Sequence, residues 1–483
     1  MIQSDKLHEE CGVFGIYRRS GEGVIDETYH ALYALQHRGQ ESCGIAVNRD
    51  GVITCTKDVG LVTDVFTRDR MSKIKEGEMA VGHCRYGTTG TLNAANAQPL
   101  LVNHLKGAMA LCHNGNLTNA AFLRERYEMA GAIFHTTTDS EVIAYTITQQ
   151  RMRTDSIEAA VRASMEIIEG AYSLVVMSAT KLIAARDPHG FRPLCMGRIG
   201  EDVVFASETC ALDAIGATFV RDILPGEMVV VSREGIKAWP RLKSDRLGLC
   251  VFEYIYFARP DSVVDGVSVH EARIRAGRLL AKSHPVEADV VIGAPDSGLD
   301  AALGYSYESG IPYGIGLIKN KYIGRTFIQP EQTQRAASVR IKLNAVTATV
   351  RNKRVVLVDD SIVRGTTSAR VVRMLREAGA KEVHVVFSAP PFRHACYFGT
   401  DVDDEETLIA NQHTEEEICR IIGADSIGFL RMEDLDKLTG DVRLPLCKGC
   451  FNGDYPVPAP VRMNKHRFEI PLSRQEKEAA HEE

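Results

Sequence analysis

Residues 354–380 read RVVLVDDSIVRGTTSARVVRMLREAGA, and their order decides the fold of the second half of the chain. An unbroken apolar run, 355–358, suits a strand buried on both faces of a parallel sheet. It ends in Asp359 and Asp360. A loop of small and hydroxylated residues follows (Ser361, Gly365, Thr366, Thr367, Ser368, with Val363 and Arg364 between them) and runs into a helical pattern. Ligands of open α/β sheets sit beyond the carboxyl ends of strands, and such a loop offers N–H groups and hydroxyls to a phosphate. Paired acids would repel a bare phosphate, but they suit ribose hydroxyls or a magnesium ion shared with a pyrophosphate. A lone Asp-Asp pair more often only caps the next helix. Here strand, acids, Gly-Thr-Thr and helix occur in sequence.

Around this stretch, DVVIGAP, GLDAALGYSYESG and EVHVVFSAP continue the alternation of apolar runs and helical segments, so a parallel sheet with crossover helices is expected. The segment resembles the phosphoribosyl pyrophosphate (PRPP) signature of type I phosphoribosyltransferases. That resemblance implies that Asp359 and Asp360 hold ribose hydroxyls and that residues 361–368 hold the 5-phosphate. IGAPDSG, 292–298, is similar to the family's pyrophosphate-side loop, which implies a place for Ser297 beside magnesium with Asp359 and Asp360. Residues 319–342 carry six basic side chains against one acid, Glu331, among them Lys319 and Arg325. A charge run is usually a solvated surface, but beside a PRPP signature it fits a loop that closes over pyrophosphate.

The first half reads differently. GVFGIY, GIAVN, AYSLVVMS and LIAAR are short β-type runs mixed with helical stretches at SEVIAYTITQQ and SIEAAVRASMEIIEG, an α+β pattern. SREGIKAWPRLKSDRLG then has few core signals and is expected to connect the halves. Cys11 opens CGVFGIY, and a lone cysteine is more often a core residue than a nucleophile. Its companions are QHRGQESCGIAV at 36–47, GHCRYGTTG at 82–90, CHNGNLTN at 112–119 and TTTDSEV at 136–142. Arg85 can grip a carboxylate with two hydrogen bonds, Asp139 can pair with an ammonium, and Asn114 with the Gly115 N–H can stabilise an oxyanion.

This set resembles class II glutamine amidotransferases of the N-terminal-nucleophile type. The resemblance implies stacked antiparallel sheets between helices, Cys11 as nucleophile, Asn114 and Gly115 as oxyanion hole, and Arg85, Thr88 and Asp139 as binders of the glutamine α-groups. In that family the nucleophile's own α-amine is the base, with an ordinary pKa of about 7.7–8.0. Cys11 is not residue 1, so residues 1–10 are expected to be a propeptide removed by self-catalysed cleavage.

LCKGC, 446–450, presents two thiols from one short turn, a spacing shared by redox, zinc and iron-sulfur sites. With both signatures in one chain, residues 11 to about 460 resemble the glutamine PRPP amidotransferase family. One branch carries a propeptide and a [4Fe-4S] cluster, which implies Cys250, Cys396, Cys447 and Cys450 as ligands. A reduced thiol set or a zinc site is the plainer alternative. The implied layout is a propeptide at 1–10, a glutaminase domain at 11–235, a phosphoribosyltransferase domain with the cluster ligands at 236–460 and a tail at 461–483. Glutamine and PRPP are the implied substrates, AMP, ADP, GMP and GDP the implied inhibitors, and a homotetramer the implied assembly.

The composition narrows the field. With 57 basic against 63 acidic residues in 483, the net charge of −6 argues against general nucleic-acid or membrane binding. No run is long and apolar enough to span a membrane, and MIQSDKLHEE lacks the apolar core of a secretory signal, so a cytoplasmic location is expected. The remaining cysteines, among them Cys43, Cys84, Cys112, Cys195, Cys210 and Cys419, read as small core residues, and His37, His83, His113 and His189 as hydrogen-bonding partners. Two rivals are a PRPP-sensing regulator without catalysis and another class II amidotransferase, whose second half would carry a sugar-isomerase pattern.

Overall fold

The computed structural model describes residues 11–19, 21, 23–87, 93–320, 343–400, 402, 405–442 and 445–460. Two antiparallel sheets stack in the first half. One has seven strands, with Gly12–Tyr17 central between Asp202–Ala206 and Met79–Arg85; the other has six, with Gly107–Leu117 between Leu100–His104 and Gly170–Ser178. Val13, Val81, Ala110, Cys112, Val175 and Leu182 interdigitate between them because every second side chain of each strand points inward. The outer faces are closed by helices. Ile25–Ala34 covers the first sheet, and Asp139–Arg153 with Ile157–Ser164 covers the second. The expected stack of antiparallel sheets between helices is what forms.

Two expectations need adjusting. The helix read across 156–170 ends at Ser164, because Ile168 packs into the layer below and Gly170 already starts a strand. The segment read as a connection begins instead with the Gly235–Trp239 strand, which pairs with Met228–Ser232 at the edge of the six-stranded sheet. Ile236 and Trp239 pack against two different cores there, a tertiary gain that the polar neighbours hid.

The second half is a parallel sheet ordered Val290–Gly293, Arg354–Asp359, Glu382–Phe387, Ser426–Phe429. Helices Val269–Ser283 and Gly298–Ser309 pack on one face, Thr366–Glu377 and Glu415–Ile422 on the other. The halves meet where Ala171 and Phe191 enter the core of the second half. Phe191 stacks on Phe398 at 4.2 Å between ring centres, and Arg186, fully buried, forks onto Asp265 at 2.7 and 2.8 Å. An aromatic pair adds about 0.5–1.5 kcal/mol to its burial, so the junction is packed like an interior.

Candidate functional site

Cys11 lies immediately before the Gly12–Tyr17 strand, and its thiol donates to the Tyr86 carbonyl at 3.4 Å. Arg85 ends the neighbouring strand. Across the sandwich, Gly107–Leu117 carries Asn114 and Gly115. Asn114 is fully buried, yet neither its side-chain nitrogen nor its oxygen has a hydrogen-bond partner among the described residues. A buried amide left unpaired costs about 1–3 kcal/mol, a cost that a ligand oxygen would remove. Gly115 has φ +137°, and a Cβ there would lie 2.1 Å from the Ala171 carbonyl, so only glycine brings the chain this close.

Asp139 opens its helix and accepts the Leu117 N–H at 2.9 Å, with its other oxygen 3.7 Å from His113 Nδ1. Cys11, Arg85, Gly115 and Asp139 line one small cavity, of about 10 Å³. Thr88 lies outside the described residues. The sequence reading missed Gln98 and Ser140: the Gln98 side chain accepts the His113 N–H at 2.7 Å and donates to Ser140 Oγ at 3.0 Å, bracing the cavity wall. His113, 3.1 Å from Ser140 Oγ, is a bonding partner as expected. His83 is buried and driven down to about 3, so it stays neutral.

The second cavity, of about 400 Å³, opens beyond the ends of the parallel strands, where Asp359, Thr367, Ser297 and Lys319 line it. Asp360 lies beside it: one carboxylate oxygen accepts the Ser297 hydroxyl and the other accepts Ser361, each at 2.5 Å. Gly365, at φ +84°, turns the loop into the helix at Thr366; a Cβ there would meet Ile409 at 2.7 Å. Val363 and Ser368 are buried beneath the loop, and Arg364 is half-buried on it. Lys319 pairs with Asp296 at 2.6 Å, and Arg325 lies outside the described residues.

The QHRG turn reaches both cavities. His37 lines the larger one and sits 2.7 Å from Glu208. The next residue, Arg38, has no exposed side chain; its Nε donates to the Cys11 carbonyl at 3.0 Å and its other nitrogens reach Glu208 at 2.6 Å and Glu253 at 2.8 and 2.9 Å. Charge from His37 and Arg38 holds the Glu208 carboxyl far below its ordinary range despite burial. These carboxylates come from residues some 170 and 215 positions away, with no local signal to mark them.

The four cysteines expected as cluster ligands lie within electrostatic reach of one another in the second half. Cys250 and Cys447 face each other in a two-residue parallel bridge, and the Cys450 carbonyl accepts the Arg393 and His394 N–H groups beside Cys396. None is in a disulfide. Burial, and then the negative charge of the other three, pushes the Cys450 thiol up; burial pushes Cys447 up to about 12. Among the described residues no three His, Cys, Asp or Glu side chains converge to hold a metal ion. Phe252, Phe392 and Phe451 form an apolar shell beside the four thiols.

Comparison with known proteins agrees with this division. A family model described as a glutamine amidotransferase domain matches residues 83–214, and one described as a phosphoribosyl transferase domain matches residues 269–411. The chain is 49% identical over 456 residues to the amidophosphoribosyltransferase of Bacillus subtilis, covering 93% of this chain and 95% of that protein. It is 47% identical over 462 residues to that of Methanocaldococcus jannaschii, covering 92% and 98%. A solved structure of the B. subtilis glutamine PRPP amidotransferase complexed with ADP and GMP superposes with a TM-score of 0.86 at 48% identity, covering 93% of this chain and 98% of that one.

Proposed function

The chain belongs to the amidophosphoribosyltransferase family, and from that membership we propose how its residues divide the work. The reaction takes L-glutamine, PRPP and water to 5-phospho-β-D-ribosylamine, L-glutamate and diphosphate, the first committed step of purine nucleotide synthesis. The relatives named above give no support to a non-catalytic regulator, and the phosphoribosyl transferase match speaks against a sugar-isomerase second half.

In the glutaminase half, residues 11 to about 239, Cys11 attacks the glutamine side-chain amide. Arg85, Thr88 and Asp139 hold its α-carboxylate and α-amine, and Asn114 with the Gly115 N–H takes the oxyanion. The unpaired, buried Asn114 amide supports that role. The α-amine of Cys11 acts as base, so removal of residues 1–10 precedes activity. The resulting thioester releases ammonia, which water would protonate, so it passes inside the protein to C1 of PRPP. Residues 361–368, including Val363, Arg364, Gly365, Thr366, Thr367 and Ser368, receive the 5-phosphate. Asp359 and Asp360 hold the ribose hydroxyls, and Ser297, Lys319 and Arg325 face the pyrophosphate. Members of the family take PRPP with magnesium; Ser297, Asp359 and Asp360 would hold it as oxygen donors, and it would supply charge stabilisation to the pyrophosphate leaving group.

We read Cys250, Cys396, Cys447 and Cys450 as holding a [4Fe-4S] cluster that cross-links the chain without redox chemistry. The chain is further read as a cytoplasmic homotetramer inhibited by AMP, ADP, GMP and GDP; the B. subtilis relative carrying ADP and GMP supports the inhibitor reading, and no helix among the described residues is long and apolar enough to cross a membrane.

The observation that carries the coupled reading is the path from the PRPP cavity through His37, Glu208 and Arg38 to the Cys11 carbonyl. Its test is release of glutamate and pyrophosphate by anaerobically purified protein with glutamine and magnesium, with and without PRPP. Matched, PRPP-stimulated release supports it; PRPP binding without release of either would refute it.

A further inference from the structure

Of the three arginines that line the larger cavity, Arg259 pairs with Asp261 and Arg273 donates to the Tyr254, Tyr256 and Ala258 carbonyls, which leaves Arg370. Arg370 lies on the Thr366–Glu377 helix and lines the cavity with Thr367 and Val371, its neighbours at i−3 and i+1 on the same wall. Its Nε is buried and has no hydrogen-bond partner, and Arg370 makes no ion pair among the described residues. Burial, and then repulsion by Arg373, hold its guanidinium below the ordinary arginine range. A guanidinium still stays charged at neutral pH, so the fold keeps a partly desolvated cation uncompensated at the wall of a substrate cavity. Helical side chains lean toward the helix N-terminus. The α-carbon of Arg370 stands about 6 Å along the axis from Thr366, at roughly 1.5 Å per residue, within reach of an anion held at the 361–368 loop.

We propose that Arg370 binds the 5-phosphate of the ribose ligand from the side opposite the loop, acting as a determinant of PRPP affinity. The proposal rests on the reading of this cavity as the PRPP site. A purine nucleoside 5-monophosphate presents the same ribose 5-phosphate, so the same contact serves it.

The test is steady-state kinetics of Arg370→Gln, with ribose 5-phosphate, GMP and inorganic pyrophosphate as competing probes and Asp359→Asn measured in parallel. Loss of one charge-assisted hydrogen bond predicts a PRPP KM raised about tenfold with kcat within about threefold. Competition by ribose 5-phosphate and GMP weakens likewise, while that by pyrophosphate holds. An unchanged KM for PRPP, or an effect on pyrophosphate alone, overturns the proposal. If Asp359→Asn also leaves PRPP affinity intact, the site reading fails with it; if Asp359→Asn raises KM and Arg370→Gln does not, this inference fails alone. Should Arg370→Gln unfold, Arg370→Lys at wild-type Tm decides: a KM raised about threefold supports the contact, and an unchanged KM removes it.

Discussion

Replacing Glu253 by alanine tests whether the buried charges join the two active centres or merely fill space. The carboxylate is fully buried and accepts from Arg38 at 2.8 and 2.9 Å and from Arg192 at 3.4 Å. Without it, Arg38 keeps only Glu208 of its two carboxylates, and Arg192 loses its pair with Glu253. Taking one partner from a buried pair costs about 3–5 kcal/mol, since the remaining charge is neither solvated nor matched. At roughly 2–4 °C per kcal/mol for units of this size, Tm should fall by about 10 °C.

Arg38 would also reorient toward Glu208, loosening its bond to the Cys11 carbonyl. Phosphoribosylamine synthesis is then assayed with glutamine and, separately, with ammonium chloride as nitrogen source. The ammonia-driven reaction needs only the second cavity. Glutamine-dependent synthesis should fall at least about tenfold further than ammonia-dependent synthesis, roughly 1.4 kcal/mol of transition-state stabilisation. An unaltered Tm, or equal loss of both activities, would show that the network neither stabilises the junction nor positions Cys11.

Asn114→Ala should lower glutamine-dependent kcat by about 10²–10³ while ammonia-dependent synthesis persists, and a smaller glutamine loss removes Asn114 from the oxyanion hole. Asp222 is raised to about 7 by burial and then by the Asp265 carboxylate. An acid whose folded pKa exceeds its unfolded value of about 3.9 supports stability at low pH and loses that support as pH rises from about 4 to 7. Asp222→Asn should therefore match wild type near pH 4 and exceed it in Tm at pH 8; parallel Tm curves would refute this. Cys447→Ser should give protein with iron well below four per chain and a lower Tm, and full iron content would exclude Cys447 as a ligand.

The strand ending in Asp359 and Asp360, the small-residue loop and the helix after it were legible because they are contiguous: a periodic apolar run and its turn chemistry lie within one stretch. Cys11, Arg85, Asn114 and Asp139 are proposed from residue types in short motifs separated along the chain; the fold brings Cys11, Arg85 and Asp139 to one cavity, with Asn114 between its lining residues His113 and Gly115. The Gly235–Trp239 strand was not legible, since its apolar residues gain their meaning only by packing against two distant cores.

By itself the amino-acid order determined the two chemistries and their succession, because each rests on short-range patterns of strand, loop and reactive side chain. Tertiary structure alone decided how they are joined. Arg38, Glu208, Glu253 and Arg192 are ordinary charged residues along the chain and become one fully buried network only when the halves close on each other. Arg370 is likewise one arginine among several on a basic helix until the fold turns it toward the cavity, its Nε without a partner among the described residues. Charge pairing and desolvation depend on distance through space, which sequence separation does not encode.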